Sequence, residues 1–135
     1  MTAGISRRSR GILRSRVASA FALMPDRGPL TGFRILDIAT MIAAPFGAAL
    51  LGDMGAEIIK VEVPGSGDTL RHVAPMYADR SLYWSVLGRN KCSITLDLRQ
   101  PRGRELLLEL VKQCDALVEN FRPGRSSDGT SVSTR

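Results

Sequence analysis

The sequence predicts an α/β domain built on a largely parallel sheet, and three observations carry that expectation. Residues Arg34 to Ile38 and Ile58 to Val61 are short β-branched runs on either side of one helical stretch, so residues 33–62 read as a strand, helix, strand unit. The alternation then continues, with a strand from Asn90 to Leu98, a helix opening at Pro101 and a strand at Ala116 to Val118. With 135 residues and 44% hydrophobic content, the chain is long enough for one such domain and short for two.

Each element has its own justification. In the first unit Pro45 suits a helix's first turn, where its missing N–H costs nothing, and Gly55 suits a closing turn at positive φ. A strand that returns parallel through a helix requires a right-handed crossover, which lays the helix on one face of an open sheet. In such sheets ligands settle beyond the carboxyl ends of the strands, so the turns Ala39 to Ala44 and Val63 to Asp68 are the ones to watch. Residues Thr69 to Ala78 show no clear period. Ser81 to Leu87 reads as a short helix ending at Gly88, with Leu82, Tyr83, Trp84 and Leu87 expected in the core. In Asn90 to Leu98, Ile94, Leu96 and Leu98 alternate with polar neighbours, as in a strand with one face less deeply covered. Leu106, Leu107, Leu110 and Val111 recur at helical spacing after Pro101, opposite Arg104, Glu105, Glu109 and Lys112.

The ends differ in character. Residues 1–27 form a basic leader, rich in Arg and Ser over Met1 to Leu23, with the composition of a transit peptide or of translated sequence ahead of a true start at Met24. Disorder is expected there and again over 125–135, where Val132 alone is strongly apolar, leaving 28–124 as the folded part.

Charge narrows the function. The net charge of +6 invites a nucleic-acid reading, but Arg7, Arg8, Arg10, Arg14, Arg16 and Arg27 in the leader face only Asp26. Between residues 28 and 124 eleven basic side chains balance eleven acidic ones, and aromatics make up 5%, too few for a base-stacking platform. No nucleic-acid partner is expected. Asp53 interrupts the longest apolar run, Met41 to Leu51, so no membrane partner is expected either.

Several candidate residues carry weak signals. Cys92 and Cys114 lack metal-ligand spacing and read as buried or free thiols in a reducing compartment. His72, the lone histidine, reads as a surface residue rather than a general base. The loop Pro64-Gly65-Ser66-Gly67-Asp68-Thr69 permits close backbone approach to a ligand but matches neither the dinucleotide fingerprint nor a P-loop. A nicotinamide domain with Glu62 on the ribose would need glycines in the first turn, and Ala39 to Ala44 contains none.

Taken together and in order, the run from Leu36 to Glu62, the Gly-Ser-Gly-Asp loop, Ser81-Leu82-Tyr83-Trp84, residues 90–98, the 101–111 helix and Val118 to Gly124 resemble the amino-terminal end of the family III CoA-transferases. That family includes formyl-CoA transferase, carnitine CoA-transferase and α-methylacyl-CoA racemase. The resemblance, from about Pro29 to Gly124, implies a Rossmann-like, mostly parallel sheet that is an incomplete amino-terminal part of the family's large domain. It implies transfer of CoA between carboxylic acids through an aspartyl thioester, or a proton shift at the α-carbon in the racemase branch. The implied partners are an acyl-CoA and a carboxylic acid, within an interlocked homodimer. CoA thioesters enter as substrate and no cofactor is implied. The implied compartment is the cytoplasm, or the mitochondrion if the leader is a transit peptide.

Carried over by position, the CoA contacts fall on Ile42 and Ala43 after the first strand and on Val63 after the second, where some relatives carry a basic residue. They continue with Leu96, Asp97, Leu98 and Arg99 along the nucleotide end, and with Asn120, Phe121 and Arg122 after the last strand. Arg99 and Arg122 suit phosphate oxygens, and Phe121 suits the adenine or the pantetheine arm. The family's nucleophilic aspartate is expected beyond the Asn-Phe turn, in a region this chain lacks, and Asp128 has neither its flanks nor a pocket. No catalytic residue and no metal site is therefore expected here. The resemblance then implies a truncated or frame-shifted copy or a fragmentary gene model, with a non-catalytic remnant that binds CoA weakly or pairs with an intact paralogue as the alternative.

Overall fold

The computed structural model describes residues 28–121. Four parallel strands make its main sheet, lying side by side in the order Lys91–Thr95, Glu57–Glu62, Arg34–Asp37 and Ala116–Val118. They are β1 (Arg34–Asp37), β2 (Glu57–Glu62), β5 (Lys91–Thr95) and β6 (Ala116–Val118). Helix α1 (Ala43–Asp53) links β1 to β2, and α3 (Pro101–Val111) links β5 to β6. Between β2 and β5 lie a 3-10 turn (Thr69–His72), a small hairpin of β3 (Met76–Tyr77) and β4 (Arg80–Ser81), and the short helix α2 (Leu82–Leu87). The mostly parallel α/β class expected from the sequence is what the chain adopts.

The two central strands carry side chains to both faces, and each face has its own helix. Leu36, Ile38, Ile59 and Val61 pack with Leu107 of α3, joined by Ile94, Leu96, Leu98, Leu110, Val111 and Leu117. On the other face Ile35 and Ile58 pack with Ala48 of α1, joined by Leu51 and Val118. Burial on both sides explains why β1 and β2 read as continuous apolar runs rather than alternating ones. The edge strand β6 is only half covered, with Ala116 exposed.

The local signals explain the helices. Pro45 occupies the first turn of α1, and Gly55, at φ 98°, turns the chain out of it while its N–H bonds the Gly52 carbonyl at 3.0 Å. Pro101 is the first residue of α3, whose Leu107 is buried and whose Glu105 and Glu109 face water. Gly103 is buried because α3 crosses the loop after β5 so closely that a β-carbon there would collide with the Asp97 carbonyl.

Two expectations are corrected. Of the four α2 residues assigned to the core only Leu87 is buried, while Leu82 and Tyr83 are exposed and Trp84 is half-buried. Six residues give a helix too short to sink more than one side, and Ser81, which accepts from the Trp84 N–H at 3.3 Å, fixes which side that is. The aperiodic stretch after Thr69 holds a turn and hairpin, with Ala78 and Asp79 both at positive φ (46° and 59°) as a tight two-residue connection demands. The leader, the tail and Arg122 lie outside the described residues. Among the described residues no helix is long and apolar enough to cross a membrane.

Candidate functional site

The strand order locates the site. From β1 the chain steps to β2 and then to β5, whereas β6 joins the opposite side of β1. The order therefore reverses between β1 and β6, and at such a switch point the loops leaving the two strands part to leave a crevice. One lip is Ala39 to Ile42, the other Glu119 to Phe121. Met41, Ile42 and Phe121 stand exposed there, with Val63 at the end of the neighbouring β2 also exposed. Large apolar side chains in water around a strand-end crevice are what a ligand with an apolar arm would cover.

The two lips are joined. The Thr40 N–H donates to Asn120 Oδ1 at 2.9 Å, and Asn120 Nδ2 donates to the Thr40 carbonyl at 2.7 Å. The adjacent Met41 takes φ 63°, a left-handed conformation unusual for a residue with a side chain. The Phe121 N–H is held by Glu119 Oε2 at 2.7 Å.

The expected CoA residues thus fall into distinct places. Ile42, Ala43, Asn120 and Phe121 are brought together at the crevice, and Val63 lies one strand away along the same edge. Leu96 and Leu98 are half-buried against the α3-side core, with the Leu96 N–H bonded to the Glu62 carbonyl at 3.0 Å. Arg99 is open to solvent, but its guanidinium turns back to Asp97 at 2.8 Å and holds that carboxyl below the usual range. To meet a phosphate it must exchange that partner. Arg104 donates to the Leu98 and Arg99 carbonyls, fixing the loop's backbone from α3.

Beneath the mouth lies a feature that the sequence reading did not assemble. Lys60, buried in the centre of β2, places its ammonium 3.0 Å from Asp68 Oδ2, 3.4 Å from Asp37 Oδ1 and in contact with the Ala39 carbonyl. Lys91 bonds Asp37 Oδ2 at 2.8 Å and the Pro45 carbonyl at 2.7 Å. Burial pushes the Lys91 ammonium below the ordinary lysine range, and the Asp37 carboxylate partly offsets that. Glu62 receives Arg71 through both carboxylate oxygens (2.6 and 2.7 Å), the Asp68 N–H at 2.7 Å and the Ser93 hydroxyl. Burial alone would raise Glu62, but these donors outweigh it and bring the carboxyl down to about 2. Arg71 also lies 3.8 Å from the centroid of the Trp84 ring.

These pairs join the turn after β1, the start of α1 and the Gly-Ser-Gly-Asp loop into one assembly. Gly67 is required there, since a β-carbon would come within 2.8 Å of the Arg71 side chain and 2.9 Å of Glu62. The available signal was a single charge inside an apolar strand, Asp37 in ILDIA and Lys60 in EIIKVE, which is hard to bury without a partner. Glu62, offered as a ribose ligand in the nicotinamide alternative, is fully committed to Arg71, Asp68 and Ser93. His72 bonds the Ser66 carbonyl at 2.9 Å on the surface. Burial pushes both Cys92 and Cys114 thiols up, away from the reactive thiolate.

The parallel sheet, the switch-point crevice and its ion-paired floor define an α/β domain with a candidate ligand site, and comparison with known proteins gives its kind. The chain belongs to CoA-transferase family III, whose family model matches residues 30–130. It is 50% identical over 97 residues to succinyl-CoA–D-citramalate CoA-transferase of Chloroflexus aurantiacus, a match covering 71% of this chain and 24% of that protein. Formyl-CoA:oxalate CoA-transferase of Bradyrhizobium diazoefficiens is likewise 50% identical over 96 residues, covering 70% of this chain and 23% of the relative. Among solved structures, a CAIB/BAIF family protein from Brucella suis superposes with TM-score 0.67 at 36% identity, over 75% of this chain and 28% of that one. A hypothetical protein from Mycobacterium tuberculosis gives 0.70 at 36%, over 80% and 30%. The chain thus spans about a quarter of the length of the curated relatives it matches.

Proposed function

We propose that this chain is the CoA-recognition portion of a CoA-transferase that moves coenzyme A between carboxylic acids. The observation that carries the reading is the β1/β6 crevice, where Ile42, Ala43 and Phe121 form one exposed mouth in a chain of this family. Phe121 offers its ring to the adenine or to the pantetheine arm, Ile42 and Val63 offer apolar contact, and Arg99 meets phosphate once released from Asp97. In the complete reaction an aspartate carboxylate attacks the acyl-CoA carbonyl and expels CoA thiolate, which returns to the resulting anhydride to give an aspartyl-CoA thioester and free acid. The incoming carboxylate then reverses the sequence and leaves with the CoA. An interlocked homodimer belongs to this reading on the strength of the resemblance, as do acyl-CoA and carboxylic acid as substrates without any further cofactor.

The described carboxylates near the mouth are poor nucleophiles. Asp37 and Asp68 are tied to buried lysines and Glu62 to Arg71. The chain alone is therefore expected to bind CoA and to turn nothing over. Calorimetric titration of the 135-residue chain with CoA should give saturable binding, weakened about tenfold or more by Phe121→Ala, from the usual worth of an aromatic stacked on a base. Succinyl-CoA with a panel of dicarboxylates should show no exchange above background. Absence of CoA binding overturns the recognition role, and exchange by the chain alone overturns the division of labour.

A further inference from the structure

The resemblance assigns Asn120 to the ligand, yet its side chain is already engaged. Its amide oxygen takes the Thr40 N–H and its amide nitrogen reaches the Thr40 carbonyl, closing a two-bond ring between loops 80 residues apart in sequence. We propose that Asn120 is a positioning residue that clamps the Thr40 backbone, holds Met41 in its left-handed turn and thereby presents Ile42 and Ala43 at the mouth. The proposal deepens the CoA-recognition reading and rests on it for the identity of the ligand.

Three observations converge. Met41 is a side-chain-bearing residue at φ 63°, where its β-carbon crowds the following carbonyl, so something outside the residue must favour that geometry. The residue that Asn120 grips by both its backbone N–H and its carbonyl, Thr40, is the one immediately before Met41, and Met41's own side chain is exposed. Asn120 is itself held in register, because the Val118 carbonyl accepts the Ile38 N–H at 3.0 Å two residues upstream and Glu119 fixes the Phe121 N–H just after. The amide therefore reaches Thr40 from an anchored backbone. A primary amide suits the task because it offers a donor and an acceptor side by side, the complement of the N–H and C=O that one residue presents from its two flanking peptides.

The consequence is a binding penalty without a contact. When the clamp is absent Met41 relaxes toward negative φ, the competent loop becomes a minor population, and apparent affinity falls in proportion. The strain of a left-handed residue makes that fall about tenfold. Glycine at 41 adopts the same φ freely, so it should recover part of the loss.

The test uses the 135-residue chain as wild type, Asn120→Ala, and Asn120→Ala combined with Met41→Gly. Residue 41's intraresidue amide-to-Hα Overhauser effect, strong at positive φ, is read by NMR without ligand, and CoA affinity is read by calorimetry. The expected result is a weakened Overhauser effect and about tenfold weaker CoA binding in Asn120→Ala, with Met41→Gly restoring several-fold of that affinity. An unchanged Overhauser effect in Asn120→Ala overturns the clamp. Lost affinity that Met41→Gly fails to restore assigns Asn120 to the ligand itself and overturns positioning. An affinity loss matched by a lowered melting temperature in both variants makes the role purely structural and also overturns it. A wild-type chain that ignores CoA removes the recognition reading, and the loop assignment is then decided by the Overhauser measurement alone.

Discussion

Replacing Lys60 with methionine removes one ammonium and little volume from the centre of the sheet. Two carboxylates lose a partner, Asp68 at 3.0 Å and Asp37 at 3.4 Å, and both are buried along with Lys60 itself. Lys91 continues to neutralise Asp37, so the larger damage falls on Asp68, which keeps only the Leu70 N–H at 2.8 Å. Stranding a buried charge in this way costs about 3–5 kcal/mol, against a total margin of about 5–15 for a domain. By contrast the solvated Arg102–Glu105 pair on α3 should be worth at most about 0.5 kcal/mol. The assay is urea unfolding followed by circular dichroism, where Lys60→Met should move the midpoint down by about 2 M, taking a slope typical of small domains. Asp68→Asn in the same background should recover part of the loss, since it removes the stranded charge, although alone it should destabilise by leaving Lys60 short of an anion. A Lys60→Met midpoint within about 0.5 M of wild type would show that the cluster is not a stabilising unit and refute the reasoning.

Other expectations follow from the same geometry. Glu62 has a carboxyl pKa depressed to about 2, so its contribution is complete above the unfolded value of about 4.5 and is lost as pH falls from there toward 2. Stability measured across that window should decline, and Glu62→Gln should start lower and decline less, whereas parallel curves would contradict the assignment. Gly103→Ala should destabilise by about 1–3 kcal/mol despite alanine's better helix propensity, because the new methyl must displace the Asp97 carbonyl. A neutral or stabilising effect in thermal melts would mean that the helix can lift off the loop freely.

How much was legible depends on whether the signal was local. Pro45 and Gly55 bracket α1, β-branched residues mark β1 and β2, and the Leu106-Leu107-Leu110-Val111 period marks α3, each read within one element. The β3–β4 hairpin was hidden because two-residue strands show no alternation and its Ala78-Asp79 turn lacks the Asn-Gly signature. The burial of α2 was overread because a six-residue segment has too few turns for periodicity to distinguish sides. Carboxyl-end loops were identifiable as the candidate ligand edge from the parallel order alone. Which of them face each other depends on β6 inserting beside β1, a pairing made 80 residues apart that no local pattern encodes. The Lys60 and Asn120 contacts were invisible for the same reason, since both are relations between separate elements.

The position of β6 also has a meaning in time. The pairing of β1 with β2 closes over 23 residues, from Arg34 to Glu57, whereas Arg34 meets Asp115 at the start of β6 across 81. The longer closure is entropically dearer by about 1 kcal/mol, and among the described residues β6 has one strand neighbour and only three residues to recover it. The strand–helix–strand unit is therefore the earlier and more durable of the two pairings, and the β6 lip of the mouth arrives after it and opens before it. Amide hydrogen exchange should register this as faster exchange at Ile38, bonded to the Val118 carbonyl, than at Glu57, bonded to the Phe33 carbonyl. Equal protection at the two sites would make the sheet a single cooperative unit. The mouth is therefore completed by the arrival of β6, and a ligand spanning both lips would slow that strand's departure.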